Sequence, residues 1–522
     1  MAFRLVSARL SGQSIPLSNR SRPTSSDTEN RCTIVLGRNG VGKSRLLAGI
    51  ARLFASFDDG GRLPRDRAAT RHRNRRDSDL VLTYIAEGRR VRLRINGPYI
   101  ESSFADKGDR RAGVRVPLPK RVIATTITPS DKFPVSNTAL VRQRDASAIR
   151  DSEEKIYRYL GGKSGGDSIS IRNRLSRVVD ALVRSVTKSN SARAKLVEVF
   201  QLLNYQPKVQ VEYGFRFGRL GLSEVREHLE DPDKLRERVR SMHGLPHRWR
   251  LIELALNNDE KLRVLREAIM FAEATLDQDY EVSAAIDIRH GSFLNDSEAV
   301  FRHLQVLEAY RIASIADLRL FRDTTDLGLQ KESLFEETDA VLPLSITEAS
   351  SGEQAVLLTL LGIAAEIEDN SLVLLDEPEI SLHPEWQERI ISLLVDTFSG
   401  YRGCHFVIAT HSPQVLAHAG HVASSVVVLD KDDVSISSGA ALLHRSADFQ
   451  LATIFRSPGY RNEYLAREAL AALTLASRGD VRSSRFNSLR NMLQRARVHM
   501  REDDPIAQMV DAVVQASEMM NP

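Results

Sequence analysis

The stretch "GRNGVGKS", Gly37 to Ser44, decides which fold the sequence predicts. It fits the phosphate-loop pattern G-x-x-x-x-G-K-[ST], whose glycines let backbone N–H groups turn inward around a triphosphate. The apolar run "CTIVL" precedes the stretch, and "KSRLLAGIARLFASF" continues it with apolar residues at helical spacing. A strand, a glycine-rich turn and a helix are the opening of a phosphate-binding α/β unit, in which the helix N-terminus favours an anion.

The phosphate loop also predicts individual contacts. Lys43 is expected to reach the β- and γ-phosphates and to act in catalysis, and the Ser44 hydroxyl is expected to ligate magnesium. A plain strand-to-helix turn is the alternative, but the pattern is too specific at this position to favour it. The residues predicted to contact the nucleotide here are Gly37, Arg38, Asn39, Gly40, Val41, Gly42, Lys43, Ser44 and Arg45.

A second motif is "LVLLDEP", Leu372 to Pro378. Its apolar residues predict a buried strand that delivers Asp376 and Glu377 to its carboxyl end, where ligands of open α/β sheets collect. Asp376 is predicted to hold magnesium, directly or through water, and Glu377 to accept a proton from the water that attacks the γ-phosphate. Alone, the segment fits a plain loop equally well, whereas beside a phosphate loop it indicates a metal and water site.

A third motif is "FVIATHSP", Phe406 to Pro413. This apolar strand ends in Thr410 and His411, so the imidazole lies beside the Asp376 strand if the two strands are neighbours. His411 then contacts the γ-phosphate or the attacking water. A histidine at a strand end is, on its own, more often a packing or capping residue.

The stretch "EASSGEQAVLLTLLGIAAEIE", Glu348 to Glu368, has two interpretations. Ser350 and Glu353 have the S-x-x-E spacing of a capping box, which predicts the start of a buried helix. The same stretch is also suited to be half of an active site whose other half lies on another molecule. Nothing inside the stretch decides between the two.

These four segments, in their order along the chain, resemble the motifs of ATP-binding cassette (ABC) ATPases. The family signature is L-S-G-G-Q, and "SSGEQ" matches it at Ser351, Gly352 and Gln354. The resemblance implies that ATP and Mg²⁺ bind between two copies of the chain in a head-to-tail homodimer or a higher oligomer. It also implies that Glu377 is the catalytic base and His411 the switch histidine.

Three departures limit the resemblance. Glu353 replaces the second signature glycine, which leaves the backbone contact expected from Gly352 in place. The family glutamine that follows the strand after the first helix has no counterpart in "TTITPSDKF", and Gln143 comes late. The residue for that role therefore stays open, as does an aromatic partner for adenine.

Within the family, "DEPEISLHPEWQ" and "ATHSPQVL" resemble stand-alone ATPases of the overcoming-lysogenization-defect, RecF and chromosome-maintenance group. The segments "VIATTITPSDKFP", "YRYLGGKS" and "SPGYRNEYL" are similar to the ATPase subunit of Septu-type and retron-linked anti-phage systems, which works with an HNH-type nuclease. The resemblance implies a defence ATPase whose closure controls a partner effector. The alternatives are a repair ATPase that clamps DNA directly and a self-contained ATPase–nuclease.

An internal nuclease is not predicted. Asp430, Asp432 and Asp433 in "VVVLDKDD" are candidate metal ligands, but an apolar strand, a polar turn and the strand "VSISS" are how a cassette finishes its sheet. The tail after this hairpin shows no strand ending in Glu followed by one ending in Asp-x-Asp. Its residues therefore do not form a recognisable nuclease centre.

Composition places the chain among globular proteins. With 522 residues, 42% hydrophobic and 27% charged, it is ordinary for a folded protein but too long for one core. The longest apolar-and-small run, Ala355 to Ala365, is too short for a membrane span, and "MAFRLVSARL" has no targeting pattern. A cytoplasmic protein without membrane contact is predicted. The two cysteines, Cys32 and Cys404, argue against a disulfide scaffold.

Positive charge is unevenly placed. Arg62 to Arg76 contains seven arginines and one aspartate, and Arg478 to Arg501 contains seven more and one aspartate. Such runs neutralise phosphates, which predicts contact with DNA or with RNA such as that of a retron. A solvated loop and a solvated helix face are the alternative.

The predicted fold class is α/β: an ABC-type P-loop NTPase domain with a large, mainly helical insertion and a helical C-terminal tail. Residues 1–145 and 341–440 are expected to form the ATPase domain, 146–340 the insertion and 441–522 the tail. Two hairpins are expected, in "DLVLTYIAEGRRVRLRI" and "SSVVVLDKDDVSISSGA".

Overall fold

A computed structural model describes most of the chain, with gaps. The described residues are 2–18, 28–60, 80–96, 99–105, 116–128, 132–135, 155–163, 170–186, 188–215, 219–231, 233, 237, 252, 255, 258–276, 281–294, 297–322, 343–419, 423–430, 434–439 and 446–519. No helix in these ranges is both long enough and apolar enough to span a membrane.

Strands and helices are numbered in chain order. The strands are β1 (Arg4–Leu10), β2 (Gln13–Pro16), β3 (Arg31–Leu36), β4 (Val81–Ala86), β5 (Arg89–Asn96), β6 (Tyr99–Phe104), β7 (Val122–Thr126), β8 (Tyr157–Tyr159), β9 (Tyr205–Phe215), β10 (Glu281–Asp287), β11 (Ser292–Leu294), β12 (Ala313–Arg322), β13 (Leu344–Ser345), β14 (Leu372–Asp376), β15 (His405–Thr410), β16 (Ser425–Leu429) and β17 (Val434–Ser437). The helices are α1 (Lys43–Ala55), α2 (Ile171–Ser185), α3 (Asn190–Leu202), α4 (Arg219–Glu230), α5 (Asp259–Thr275), α6 (Ser297–Ala309), α7 (Ser351–Glu366), α8 (Pro384–Thr397), α9 (Pro413–Ala419), α10 (Ala447–Thr453), α11 (Glu463–Ser477), α12 (Ser484–Arg497) and α13 (Pro505–Met519).

A seven-stranded sheet carries the predicted motifs. Its order is β17-β16-β3-β15-β14-β7-β8, and every neighbouring pair is parallel except β16 with β17. β7, β14 and β15 are buried along their whole length, as their unbroken apolar character predicts for strands covered on both faces. The α/β fold class and the β16–β17 hairpin are confirmed.

Alternate residues of the central strands enter two different cores. Ile34 and Leu36 of β3 pack in the core that contains α7, whereas Val35 packs in the core that contains α1. Successive side chains of a strand point to opposite faces, so α1 and α7 cover opposite faces of this sheet. The phosphate loop and the "SSGEQ" segment of one chain therefore belong to different layers.

A second sheet, β2-β1-β4-β5-β6, is antiparallel and contains the predicted β4–β5 hairpin. His405 of β15 joins this sheet to the first. The Leu5 N–H donates to His405 Nδ1 at 2.9 Å, and Thr33 Oγ1 lies 2.9 Å from Nε2 while donating to the Leu17 carbonyl. Because Thr33 has one hydroxyl proton, Nε2 carries the imidazole proton, and burial lowers the His405 pKa to about 3.

The insertion contains more sheet than the sequence suggested. Helices α2 to α6 are present, but the segments between them form an antiparallel sheet, β11-β10-β9-β12-β13. β13 lies beyond residue 340, and β8 belongs to the seven-stranded sheet although it lies within 146–340. One core joins α2 and α3 to α7, so the insertion and the ATPase domain share their packing.

The tail forms a helical unit, as expected. Helices α10 to α13 surround a core of their own that includes Leu465, Phe486, Leu493 and Val510. Asn462 caps α11 by accepting from the Leu465 N–H at 3.0 Å.

A buried ion network fixes the C-terminal end of α7. Glu366 is 3% exposed, and its carboxylate contacts Arg158 of β8 at 3.1 Å and Arg184 of α2. Burial alone would raise the Glu366 pKa, but Arg184, Arg158 and Lys188 outweigh it and hold the pKa at about 2. The network ties α7, α2 and the sheet edge together.

Removing this charge should destabilise the protein strongly. Glu366→Gln leaves buried cations without a carboxylate, and we expect a loss of about 3 to 5 kcal/mol in the free energy of unfolding. Urea denaturation measures it. The matched control is Glu368→Gln, whose partner Arg121 lies 2.9 Å away but whose side chain is 37% exposed, and its expected cost is below about 1 kcal/mol. Equal losses for the two variants would contradict this role.

Candidate nucleotide-binding site

The predicted site residues follow neighbouring parallel strands. β15 lies between β3 and β14, with Thr410 level with Leu36 and Ala409 level with Asp376. The Thr126 hydroxyl of β7 donates to the Asp376 carbonyl at 2.9 Å. The carboxyl ends of these strands form one edge of the sheet, so the phosphate loop, the acidic pair and His411 converge there as their order in the sequence predicts.

The phosphate loop requires its glycines. Gly40 and Gly42 have φ values of 85° and 113°, which favour glycine. A Cβ on Gly37 would lie 2.6 Å from the Leu429 carbonyl oxygen, too close for any side chain. Gly42 is the N-cap of α1 and supplies no side-chain cap, so the helix presents backbone N–H groups to an anion.

Lys43 is buried inside the loop. Its Nζ donates to the Gly37 carbonyl at 2.7 Å and to the Arg38 carbonyl at 3.3 Å, and the side chain is 4% exposed. Burial lowers the Lys43 pKa, and the carboxylates of Glu377 and Asp376 oppose that shift. The Lys43 ammonium therefore lies between the phosphate loop and the carboxylates of Asp376 and Glu377.

Ser44 and Asp376, the two predicted magnesium ligands, are joined by a hydrogen bond. Ser44 Oγ donates to Asp376 Oδ1 at 3.1 Å, and Asp376 is 3% exposed. A hydroxyl and a carboxylate are the oxygen donors that Mg²⁺ accepts when substrate phosphates and water complete its octahedron. The pair fits a magnesium site at the first turn of α1.

Glu377 and His411 form a hydrogen-bonded pair. His411 Nδ1 lies 3.2 Å from Glu377 Oε1, and the two side chains are 40% and 18% exposed. The hydrogen bond lowers the Glu377 pKa and raises the His411 pKa, so the pair favours carboxylate and imidazolium. Glu377 has φ 51°, and its N–H donates to the Ala409 carbonyl at 2.8 Å, which fixes a strained backbone beside β15.

Two further residues at this edge were not singled out from the sequence. Glu379 accepts hydrogen bonds from Thr410 and from the His411 backbone. Lys132, in the "TTITPSDKF" segment whose role was open, is close enough to lower the pKa values of Lys43 and Glu377. The only sequence signal for Lys132 was its position after β7, a strand that ends at the same edge.

The capping box of α7 is confirmed. The Ser350 side chain accepts from the Glu353 N–H at 3.3 Å, and the Ser350 N–H donates to Glu353 Oε2 at 2.9 Å. Gln354 donates to the Thr347 and Ala349 carbonyls at 3.1 and 2.9 Å. The Gln354 side chain therefore closes the preceding turn.

Gly352 has no need to be glycine within its own chain. A Cβ there would lie 3.4 Å from the Ser381 carbonyl oxygen and 3.7 Å from Leu382, which is ordinary contact. Its backbone is not among those with positive φ. Ser351 is exposed beside it, so the first turn of α7 presents an open, uncrowded N-terminus.

Arg38 contacts the tail. Its Nε donates to the Phe455 carbonyl at 2.8 Å, and its terminal nitrogen donates to the Arg456 carbonyl. Arg456 in turn contacts Asp430 at the end of β16 at 2.9 Å. A cavity of about 120 Å³ lies between the phosphate loop, β16 and this tail segment. The Arg38 guanidinium is therefore directed toward the tail.

The second arginine cluster is partly neutralised. Arg497 pairs with Asp511 at 2.8 Å, and Arg501 pairs with Asp503 at 2.9 Å. The exposed arginines of the cluster are Arg478, Arg482, Arg485, Arg495 and Arg501. Arg62 to Arg76, together with Asp432 and Asp433, lies outside the described residues.

One family of known proteins matches part of the chain. Residues 189–417 match the family described as "AAA domain, putative AbiEii toxin, Type IV TA system", known as AAA_21. Over these residues, which are fewer than half of the chain, the protein is similar to that family. The match covers β14, α8 and β15 and the residues that they place, and it begins inside the insertion, which agrees with the core that the insertion shares with the ATPase domain.

Two curated relatives match short segments. "Retron Ec83 probable ATPase" of Escherichia coli is 30% identical over 115 residues, covering 20% of this chain and 19% of that protein. "Retron Vc95 probable ATPase" of Vibrio cholerae serotype O1 biovar El Tor is 32% identical over 84 residues, covering 14% and 16%. The chain thus spans less than a fifth of the length of either relative.

Among solved structures, the Smc head domain with an extended coiled coil from Pyrococcus furiosus is similar over 84% of this chain and 96% of that one. The sequence identity is 13% and the TM-score is 0.31.

The Arg38 contact predicts a measurable link to the tail. Arg38→Ala removes both donors, and hydrogen bonds from a charged group contribute about 1.5 to 3 kcal/mol. We expect the Phe455 and Ser457 amides to exchange roughly tenfold faster in hydrogen–deuterium exchange, since the segment loses its anchor. Arg45→Ala is the control, because its guanidinium lies against Gly42. Unchanged exchange of the tail amides in Arg38→Ala would rule out the anchor.

Proposed function

We propose that this protein binds ATP with Mg²⁺ and hydrolyses it at sites shared between two copies of the chain, and that this cycle controls a partner effector in anti-phage defence. The observation that supports hydrolysis most directly is the convergence of Lys43, Ser44, Asp376, Glu377 and His411 at one sheet edge. Each group has the chemistry that phosphoryl transfer to water requires.

In the proposed reaction the phosphate loop and Lys43 hold the β- and γ-phosphates. Ser44 and Asp376 hold Mg²⁺, which, when bound, neutralises phosphate charge. Glu377 orients the attacking water and takes its proton, since its carboxylate stays ionised beside His411. His411 keeps that carboxylate in place and faces the same edge.

The shared site is supported by the layering of the fold. α7 ends at Glu366 and β14 begins at Leu372, so α7 runs back across the sheet and its N-terminus lies toward the carboxyl edge, on the face opposite α1. Its exposed Ser351 and uncrowded Gly352 offer a helix N-terminus for an anion. A head-to-tail partner would bring its own phosphate loop to that terminus.

The defence assignment rests on the names of two relatives, both retron ATPases, and on the toxin–antitoxin description of the matching family. An HNH-type nuclease is the proposed effector class. The helical tail is a suitable place for an effector to sense the nucleotide, because Arg38 connects it to the phosphate loop. Co-purification of the full chain with a small nuclease tests this step.

A repair-type ATPase that clamps DNA is the second candidate. The exposed arginines on and around α12 favour it, since positive charge concentrated in one segment attracts phosphates. ATP-dependent binding of double-stranded DNA that falls steeply with salt would support this candidate over the effector switch.

Glu377→Gln tests hydrolysis. Removing the base should lower the rate of phosphate release at least about 100-fold while ATP still binds, so that an ATP-bound dimer accumulates. Phosphate release and light scattering with ATP measure the two effects. Glu368→Gln, the same exchange just beyond the C-terminal end of α7, should behave like the unaltered protein. Normal hydrolysis by Glu377→Gln would refute the assigned base.

Gly352→Asp tests the contribution in trans. An acidic residue in the first turn of α7 suits the helix dipole, so the fold should be kept, but the carboxylate would repel the partner's γ-phosphate. We expect unchanged ATP affinity, an unchanged melting temperature and a fall in hydrolysis of about 100-fold. Full hydrolysis by the folded variant would show that the signature does not approach the nucleotide.

A further inference from the structure

Glu379 is a buried carboxylate in the turn after β14. It lies two residues beyond Glu377 and is 3% exposed. Its Oε1 accepts the Thr410 hydroxyl and, at 3.2 Å, the His411 backbone N–H. Through this one oxygen, the turn that carries Glu377 holds the turn that carries His411.

The Thr410 hydroxyl completes the connection. While donating to Glu379, it accepts the Ser412 N–H at 3.0 Å. The Ser412 side chain donates to Gln387 of α8 at 3.0 Å. The backbone on both sides of His411 is thus fixed, and the imidazole is left with one polar partner at hydrogen-bond distance in the described residues, Glu377 at 3.2 Å.

This arrangement is costly for the fold. Glu379 Oε2 is buried and has no hydrogen-bond partner in the described part of the chain, and burial raises the Glu379 pKa. An unsatisfied buried polar group destabilises the fold, and an apolar side chain of the same length avoids that cost. The carboxyl group is therefore explained better by the hydrogen bonds that it accepts from Thr410 and His411 than by a contribution to stability.

We propose that Glu379 is a positioning residue for ATP hydrolysis, which sets the placement of His411 against Glu377 by accepting from Thr410 and from the His411 backbone. The acceptor oxygen fixes the spacing between the two turns. Glu379 lies 3.7 Å from the imidazole Nδ1 through Oε1 but does not replace Glu377 as its partner. This inference rests on the proposed hydrolysis at Glu377.

A pair of neutral variants isolates the acceptor. Glu379→Gln keeps an Oε1 that accepts both hydrogen bonds, whereas Glu379→Met has similar length and no such acceptor. Both lose the charge, so the difference between them reports the acceptor alone. We expect kcat for ATP hydrolysis within about threefold of the unaltered protein for Glu379→Gln and about 10- to 100-fold lower for Glu379→Met, since small misplacements cost that much. KM should change little in either.

The outcomes distinguish a failure of the positioning role of Glu379 from a failure of the proposed ATP hydrolysis. If the unaltered protein hydrolyses ATP and folded Glu379→Met does so equally fast, or if Glu379→Gln falls as far as Glu379→Met, the positioning role is refuted. Absence of hydrolysis in the unaltered protein refutes the proposed function instead.

Should Glu379→Met fail to fold, Thr410→Val and Thr410→Ser make the same comparison from the donor side. The valine variant should have a lower kcat for ATP hydrolysis, and the serine variant should keep the kcat of the unaltered protein. Equal rates in the two variants refute the proposal.

Discussion

The structure depends on the parallel register of four strands, β3, β15, β14 and β7. That register brings Leu36, Thr410, Asp376 and Thr126 to one edge, where the chain leaves each strand and turns. Because side chains alternate across the same strands, the register also separates α1 from α7. One constraint therefore builds the candidate site and places α7 on the face opposite α1.

The sequence predicted the parts that are encoded locally. The phosphate loop, the two apolar strands with acidic and histidine ends, and the Ser350–Glu353 capping box each lie within one short segment, and each was confirmed in place. The sheet of the insertion was not predicted from the sequence. Its strand β9 pairs with β12, about a hundred residues away, and no local pattern specifies that pairing. β8 has three residues, too few to show a period.

The site was less predictable than the motifs. Nothing in the sequence distinguishes Glu379 from an ordinary acidic residue in a turn. Only the fold shows that its carboxylate accepts a hydrogen bond from the Thr410 hydroxyl. Arg38 was expected at the nucleotide, yet its guanidinium extends to carbonyls more than four hundred residues later. These contacts join segments that are distant in sequence, and they connect the phosphate loop to the tail and the turn of Glu377 to the turn of His411.

The most direct test of the account is complementation between two inactive variants. Lys43→Ala removes the phosphate contact in cis, and Gly352→Asp removes the proposed contact in trans. In a head-to-tail dimer of one subunit of each kind, one of the two sites has both parts intact, so a mixture should regain up to about a quarter of the unaltered rate of ATP hydrolysis. If the mixture forms dimers of both subunits and stays as inactive as each variant alone, the shared site is wrong.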